Sequence, residues 1–282
     1  MFYVNHMKYS FICALIFTLN CCAKKESEIK SIEREETVNN QKEQSVWLNS
    51  TKELMGQKSG TFQIKDKPNL PIIFEWQVID PKSPEFTQRI KQVSNLLVDT
   101  YTQMELEFTK KHPDLISNEY FLKSLEPLLK DLENVDWKLV ENQIKSTFDQ
   151  FFTNTDFSMF AGKDEFHIFV FAKNAQNNEY LGFIQFLITP EFQDGTIKIA
   201  YFGVNQVASK YNLEQFLIAS VFKLVQNIQK IFLHTRITNQ KAIDLYYSLG
   251  FQKFAGNLPN WIDLEYLTDK TDILQNAANK LN

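Results

Sequence analysis

Three residues near the end of the chain have types and a spacing that suit a ligand-binding site with a proton donor: Asn239, Ala242 and Tyr246. They lie at i, i+3 and i+7, so they share one face of a helix that has 3.6 residues per turn. The Asn239 amide both donates and accepts hydrogen bonds, and the Tyr246 hydroxyl carries a transferable proton. Ala242 keeps this face low, so a ligand could lie across it. The periodicity alone, however, favours an ordinary packed helix.

A strand, a turn and a helix must position this face, and the sequence from position 230 to 254 provides them. The apolar run at 231–233 predicts a buried strand. Thr238 or Asn239 can cap the start of the helix, because a short polar side chain accepts from the free amides of the first turn. Gly250 suits the end of the helix, since a left-handed residue costs glycine little. A further strand is expected directly after it.

The pattern N-x-x-A-x-x-L-Y-x-x-L-G-F resembles the C-terminal motif of the GNAT superfamily of acyl-CoA-dependent N-acyltransferases. Its anchor positions are Asn239, Ala242, Leu245, Tyr246, Leu249, Gly250 and Phe251. The resemblance covers about 166–266 and implies acetyl-CoA as the acyl donor, an amine as the acceptor and no metal. It also implies that Asn239 contacts the pantetheine arm of acetyl-CoA. Tyr246 would then be the general acid that protonates the leaving thiolate.

The same resemblance places the CoA pyrophosphate at the start of a helix, which we predict over 212–228. Its buried stripe would comprise Leu213, Phe216, Leu217, Val221, Leu224 and Ile228. At its start, Asn212 with Gln215 resembles a capping box. The expected cofactor contacts are Val204, Asn212, Leu213, Gln215, Phe216, Asn239 and Ala242.

This pyrophosphate segment departs from the family pattern R/Q-x-x-G-x-G/A. Asn212 occupies the first position, Gln215 and Leu217 occupy the glycine positions, and no glycine lies between Gly203 and Gly250. Side chains there would crowd the pyrophosphate. A helix N-terminus still attracts anions, and Lys210 is nearby in the sequence to assist.

The order of elements predicts the fold class α/β (α+β). We expect a GNAT-like mixed, mostly antiparallel sheet flanked by helices, with extra helices before the second strand. The strand-like segments are 74–79, 166–171, 180–188 and 196–204, and the helix-like segments are 83–110, 119–132 and 137–152. The extra helices would cover the substrate side of the domain, with an ordinary packing subdomain as the alternative.

The base for the incoming amine is left open by the sequence. Tyr201, Glu179 and a water molecule are the alternatives. The four histidines, His6, His112, His167 and His234, show no metal-ligand spacing. His234 follows a strand and could reach the cleft, although a structural histidine is the expectation. Neither a G-x-S-x-G elbow nor a Walker loop occurs, so hydrolase and nucleotidase functions have no support.

Composition and charge limit the class of protein further. The 282 residues are 44% hydrophobic and include 25 Phe, which is enough for a substantial core. The net charge of −4 and the lack of a Lys/Arg stripe argue against a nucleic-acid partner. All three cysteines lie in the first 22 residues, so the rest of the chain has no disulfide, thiolate zinc site or cysteine nucleophile.

The N-terminal segment 1–22 predicts a signal and lipobox. An apolar run at 9–20 is too short for an ordinary transmembrane helix, and either Met1 or Met7 could be the start. The end of the run resembles a bacterial lipobox, which implies lipidation of Cys22, with Cys21 as a rival acceptor. We therefore expect an exported, membrane-anchored lipoprotein. An ordinary cleaved signal, a short anchor and a cytoplasmic location are the alternatives.

The remaining boundaries follow from composition. Residues 23–59 are predicted to be a charged flexible linker, because they hold too few apolar residues to offset the cost of ordering. A GNAT-like domain is expected over 60–270 and a C-terminal tail over 271–282. The predicted function is acetyl transfer from acetyl-CoA to an amine. The alternative is a catalytically inactive GNAT-like lipoprotein that binds a ligand or a peptide.

Overall fold

The computed structural model describes residues 59–65, 71–118, 120–160, 165–189, 195–254, 259–270 and 272–282. The predicted signal and lipobox segment, Cys22 included, lies outside the described residues, as does all but the last residue of the predicted linker.

The centre of the fold is an eight-stranded sheet with the order β1-β2-β3-β4-β5-β6-β8-β7. The strands are β1 (Ser59–Phe62), β2 (Ile72–Ile79), β3 (Phe166–Asn174), β4 (Tyr180–Ile188), β5 (Thr196–Val204), β6 (Lys230–Arg236), β7 (Gln252–Phe254) and β8 (Trp261–Leu267). All neighbouring strands are antiparallel except β5 and β6. The predicted mixed, mostly antiparallel sheet flanked by helices is confirmed. Because β1 precedes the strand predicted as the first, the extra helices come before the third strand.

Seven α-helices of the described chain flank the sheet. They are α1 (Pro84–Gln92), α2 (Ser94–Lys111), α3 (Trp137–Asn154), α4 (Leu213–Ala219), α5 (Val221–Leu224), α6 (Gln240–Ser248) and α7 (Ile273–Ala278). The single helix predicted over 83–110 is interrupted at Val93, whose φ of −110° and ψ of 12° lie outside helical geometry. The sequence does not reveal this break, because buried apolar positions continue across it at helical spacing.

The α-helix predicted over 119–132 is wrong. The structure has two 3₁₀ segments instead, Pro113–Asn118 and Tyr120–Leu128. Pro127 lies inside the second segment. In an α-helix a proline has no N–H to donate to the backbone, and its ring clashes with the preceding turn. Proline therefore overrides the apolar spacing that suggested an α-helix.

The helix predicted over 212–228 is also corrected. It consists of α4 and α5, which are separated at Ser220. The second helix ends at Leu224, because the next residue, Val225, has extended geometry. The Ser220 hydroxyl donates to the carbonyl of Leu217 at 2.6 Å, and such local bonding competes with regular helix. The predicted position Ile228 is buried outside the helix.

Two apolar cores lie on opposite faces of the sheet. The first packs under α4 to α7 and includes Phe74, Leu217 and Tyr246. The second packs under α1 to α3 and includes Phe86 and Phe169. The successive side chains of β3 over 168–172 alternate between the two cores, as the pleat of a sheet requires.

The segment predicted as a C-terminal tail packs into the first core. Leu274 and Leu281 are fully buried, and Leu281 forms an isolated β-bridge with Ile64. The Asn282 backbone exchanges hydrogen bonds with that of Gln63 at 3.2 and 2.9 Å. The described end of the chain is thus tied to the start of the domain.

Candidate functional site

A fork between two parallel strands defines the site. β5 and β6 pair at only three positions, from Thr196 with Lys230 to Lys198 with Phe232. Both strands continue beyond this point, but no further pair joins these two described strands. The register of β5 against β4 also shifts at Ala200, a bulge that bends β5 locally. We use "the fork" for the unpaired parts of the two strands, 199–204 and 233–236.

Helix α2 lies across one face of the fork. A Cβ atom at Gly203 would come within 3.1 Å of Thr100 Oγ1 and 3.3 Å of the Leu96 carbonyl oxygen. A glycine at this position of β5 therefore lets the helix approach the strand closely. At its other end, Lys111 Nζ donates to the carbonyl of Thr238 at 3.3 Å, next to the start of α6.

A buried ion pair joins α2 to the end of β6. Arg236 Nε and Nη2 donate to the two carboxylate oxygens of Glu105 at 3.0 and 3.1 Å, and both side chains are almost fully buried. The guanidinium carbon lies 4.2 Å from the ring centre of Phe108 and 4.5 Å from that of Trp261. Two bonds and two flanking rings fix the guanidinium plane, which holds α2 over the fork.

Tyr246 lies on α6 at the opposite face of the sheet. Its residue is 5% exposed, and its ring packs 5.3 Å from that of Phe251 and 6.4 Å from that of Phe202. Burial raises the pKa of Tyr246 well above its ordinary value, and the nearby Tyr101 of α2 raises it further. The two phenols thus approach each other from opposite faces, and Tyr246 keeps its proton at neutral pH.

Asn239 caps the start of α6. Its side-chain oxygen accepts from the backbone N–H of Ala242 at 3.4 Å, and its amide nitrogen donates to Thr235 Oγ1 at 3.0 Å. The predicted cap is therefore formed by Asn239, while Thr238 precedes it. One amide hydrogen of Asn239 lies beyond these two bonds and is the group that could still reach a ligand.

The start of α4 differs from the expected capping box. Asn212 has a left-handed backbone with φ of 57° and ψ of 37°, and its side chain makes no cap hydrogen bond. This geometry, which Asn tolerates, turns the chain from the 3₁₀ segment Gln206–Tyr211 into α4. Leu213 and Phe216 point into the first core, so only their backbone could face a cofactor.

The two positions that lack glycine differ in consequence. Gln215 is partly exposed in the first turn of α4, but Leu217 is fully buried. A Cβ atom at Gly182 of β4 would lie 2.8 Å from Leu217 Cδ1. Leu217 therefore packs over a glycine of the sheet and does not point outward, which corrects the expectation that it crowds a pyrophosphate.

Neither of the two side chains proposed as the base suits that role. Desolvation raises the pKa of Tyr201 well above its ordinary value, with a further contribution from Tyr101, so Tyr201 holds its proton. Glu179 is exposed on the hairpin between β3 and β4, where its carboxylate accepts from Asn177 Nδ2 at 3.3 Å. The structure brings Tyr201 to the fork and leaves Glu179 on that hairpin.

The sequence did not single out the charged groups around β6. Glu105 and Arg236 are 131 positions apart in the chain, and Lys198 of β5 is only 4% exposed. His234 lies between Lys198 and Arg236 on the same face of the sheet. One signal in the sequence could have pointed to them. Glu105 occupies a position on the apolar face of α2, and a charged residue is rarely buried there unless it is paired.

In the part of the chain that the structure describes, no group of three or more His, Cys, Asp and Glu side chains could hold a metal ion. His167 is engaged in the second core, where its Nδ1 lies 2.6 Å from Gln185 Nε2 and its Nε2 lies 3.3 Å from Glu165. None of the described helices has the length and hydropathy needed to cross a membrane.

Comparison with known proteins finds a similarity between part of the chain and a family. Residues 129–251 match the model of the acetyltransferase (GNAT) family. A search of curated proteins finds no match.

Among solved structures, the apo form of FdhC, a nucleotide-linked sugar GNAT, is 11% identical with a TM-score of 0.38, and the match covers 73% of this chain and 93% of that one. A mutant of the spermidine N-acetyltransferase SpeG from Vibrio cholerae is 15% identical with a TM-score of 0.32, covering 49% of this chain and 78% of that one. An IAA acetyltransferase from Bacillus cereus is 16% identical with a TM-score of 0.30, covering 36% and 77%.

Proposed function

We propose that the protein is an acyl-CoA-dependent N-acyltransferase that moves an acetyl group from acetyl-CoA to an amine, and the match of residues 129–251 to the GNAT family model supports this. The observation that carries the proposal is Tyr246. It is a phenol that keeps its proton at neutral pH, sits in the helix after the fork and approaches Tyr101 from across the sheet. Breaking a thioester needs such a donor, since the leaving thiolate must be protonated.

The residues of the chain divide the work of this reaction. Bound acetyl-CoA would supply the acetyl thioester. Tyr246 donates a proton to the departing sulfur, and its burial together with Tyr101 keeps the phenol protonated until then. Asn239 orients the acyl donor through its remaining amide hydrogen. Helix α2, held by Glu105 and Arg236, covers the fork and excludes water from it.

The start of α4 provides a modest fit to the phosphates of CoA. The first amides of a helix lack partners within the helix and carry a partial positive charge. Lys210, three residues before the start of α4, is exposed and can add a cation. Glu214 in the first turn opposes an anion, and Gln215 replaces a glycine. We therefore expect acetyl-CoA to bind more weakly than it would to a glycine-rich loop.

Calorimetry tests this binding. Acetyl-CoA is titrated into the chain without the predicted signal segment 1–22, with desulfo-CoA and ADP as controls. Micromolar affinity for acetyl-CoA, matched by desulfo-CoA and exceeding that for ADP, supports the proposal. No binding at millimolar acetyl-CoA would remove it.

A second function is favoured by the substituted loop: a GNAT-like domain that binds a ligand or peptide without catalysis. Gln215 replaces a glycine on the side that would face the cofactor, and Asn239 already serves as a helix cap. The two functions differ in what Tyr246→Phe does. Loss of the hydroxyl would leave ligand binding nearly intact in a binding protein, whereas it would strongly reduce turnover in an enzyme.

We also propose that the protein is exported and anchored to a membrane through a diacylglycerol on Cys22. The support is the lipobox-like sequence that ends at this residue. Labelling of the full chain with radioactive palmitate in a bacterial host tests it. Cys22→Ala should abolish incorporation, while Cys21→Ala should retain it. Label that persists in Cys22→Ala and disappears in Cys21→Ala would place the anchor on Cys21. Absence of label in the unmodified chain would contradict the lipid anchor.

A further inference from the structure

We propose that His234 is the base that takes the proton from the acceptor amine. This inference rests on the proposed acyl transfer and adds the group that the sequence left open. It assigns the amine to the face of the sheet that α2 covers.

The position of His234 in β6 is the first argument. Ile231 and Leu233 point into the first core, so the alternating residues Phe232, His234 and Arg236 point to the other face. Phe232 belongs to the last pair between β5 and β6, which places His234 directly inside the fork. Tyr246 and α4, the groups proposed to serve the acyl donor, lie on the opposite face. An amine on the α2 face would meet the thioester through the fork.

The environment of the imidazole ring is the second argument. His234 Nδ1 is buried and has no hydrogen-bond partner, although the residue as a whole is partly exposed. Its ring packs edge-on against Trp261, with 5.6 Å between ring centres. A histidine kept for structure normally uses its ring nitrogens in hydrogen bonds. Here packing holds the ring, and no structural bond at Nδ1 accounts for an imidazole at this position.

The charge state agrees with this role. Burial lowers the pKa of His234 well below its ordinary value, and the cation of Lys198 on β5 lowers it further. The other charged groups that β6, β8 and α2 bring to this face of the described chain are Lys230, Arg236 with its partner Glu105, and Asp263 and Glu265. Asp263 is opposite His234 in the antiparallel pair of β6 and β8. The imidazole is therefore neutral at physiological pH, with a lone pair available for a proton.

Every proton in the proposed reaction is accounted for. The protonated amine gives one proton to the imidazole, and the neutral amine nitrogen then bonds to the carbonyl carbon of the thioester. The carbon–sulfur bond breaks, and the sulfur receives a proton from Tyr246. The imidazolium releases its proton to water, and the second proton of the amine nitrogen returns to the tyrosinate. The products are the amide, free CoA and one proton.

The test compares His234→Gln with the unmodified protein and with His112→Gln as a matched control. His112 lies at the end of α2, where its ring packs against Phe108 at 5.3 Å. Thiol release from acetyl-CoA is followed with three primary amines: phenethylamine, spermidine and a lysine peptide. With the best of these amines, we expect kcat to fall about 100-fold in His234→Gln. Acetyl-CoA affinity by calorimetry should be unchanged, as should kcat in His112→Gln.

A spectroscopic readout of His234 in the unmodified protein accompanies the kinetics. Nitrogen NMR of the imidazole rings, with the His234 signals assigned by their loss in His234→Gln, follows protonation against pH. We expect the neutral form throughout pH 6.5 to 8. In Lys198→Met the loss of a nearby cation should raise the pKa of His234 and shift the acidic limb of kcat/KM to higher pH.

The outcomes separate this inference from the proposed function. Unchanged turnover in His234→Gln, or a protonated His234 at pH 7, overturns the role of His234 while acyl transfer stands. Acetyl-CoA binding without turnover of any of the three amines overturns His234 as a base for this class of acceptor and favours the binding protein. If the unmodified protein does not bind acetyl-CoA, both proposals are contradicted.

Discussion

In the general-acid role that we propose, Tyr246 has to keep its proton until the thiolate departs and then donate it, and burial of the phenol affects both requirements. The raised pKa keeps the phenol protonated, but it also makes the phenol a weaker acid. A departing thiolate in the same site is desolvated as well, which raises the pKa of the thiol that it forms. Because both groups lose water together, the difference in pKa between donor and acceptor changes less than either value. A buried tyrosine is therefore compatible with the role of a general acid.

Replacing Tyr246 with Phe tests this role at one atom. We expect kcat to fall by about 10²- to 10⁴-fold, the usual contribution of a general acid. The ring is retained, so its contacts with Phe202 and Phe251 and the affinity for acetyl-CoA should persist. Steady-state kinetics and calorimetry measure the two effects. Tyr247→Phe is the control, since Tyr247 is 44% exposed on the same helix. Equal turnover in the two variants would contradict the assignment.

At the level of elements, the small residue that the family pattern places in helix α4 is found in strand β4, which α4 covers. α4 has Leu217 where the family pattern has a small residue, and β4 has Gly182 beneath it. A glycine in either α4 or β4 lets the helix and the strand approach each other closely. The substitution at Leu217 is therefore a change in packing, whereas that at Gln215 concerns the ligand side.

A pair of size changes tests this packing. Gly182→Ala should destabilise the domain by about 1–3 kcal/mol, because the new methyl group overpacks against Leu217. Leu217→Ala should cost about 2–5 kcal/mol through the cavity it leaves. The double variant should lose less than the sum, since each change relieves the other. Urea unfolding gives the three values, and strict additivity would show that the two positions do not pack together.

The Glu105–Arg236 pair predicts a second coupling, between α2 and β6. Glu105→Leu or Arg236→Met alone leaves a buried charge without its partner and should cost about 3–5 kcal/mol. The double variant removes both charges and should cost clearly less than the two single changes added together. Urea unfolding at pH 7 measures the cycle. A double variant as unstable as that sum would mean that the pair contributes through separate contacts.

The reach of sequence inference follows the range of the interactions involved. The cap of α6 at Asn239 and the strands β3 to β5 depend on neighbours in the chain, and they could be predicted. The interruption at Val93 and the break at Ser220 are set by tertiary packing and local bonding, which periodicity does not express. The partnership of Glu105 with Arg236 spans 131 positions, so no local pattern could reveal it.

The whole molecule places its ionisable groups on both sides of one sheet. Tyr246 belongs to the core under α4 to α7, while Tyr101 and Tyr201 border the core under α1 to α3. At the fork the two faces are open to each other, because Tyr101 contributes to the raised pKa of both Tyr201 and Tyr246. In the proposed reaction, the opening of the sheet between these two parallel strands would let groups from both faces act on one substrate.

These three desolvated phenols predict how the stability of the molecule depends on alkaline pH. Burial or desolvation raises the pKa of each above the ordinary value of about 10. Above that pH the unfolded chain releases these protons while the folded chain retains them, so the unfolded state binds fewer protons and the free energy of unfolding falls as pH rises. Their contribution is complete below pH 10 and is lost as pH rises towards the folded-state pKa values.

Urea midpoints between pH 8 and pH 11 should show this loss, and Tyr246→Phe should show a shallower loss than Tyr247→Phe. Lysine deprotonation affects both variants equally, so the difference between the slopes isolates Tyr246. Equal slopes would mean that the Tyr246 hydroxyl is as well hydrated in the folded state as in the unfolded one. A phenol hydrated to that degree would not need the fork to reach its proton acceptor, and the proposed route of the proton would have to change with it.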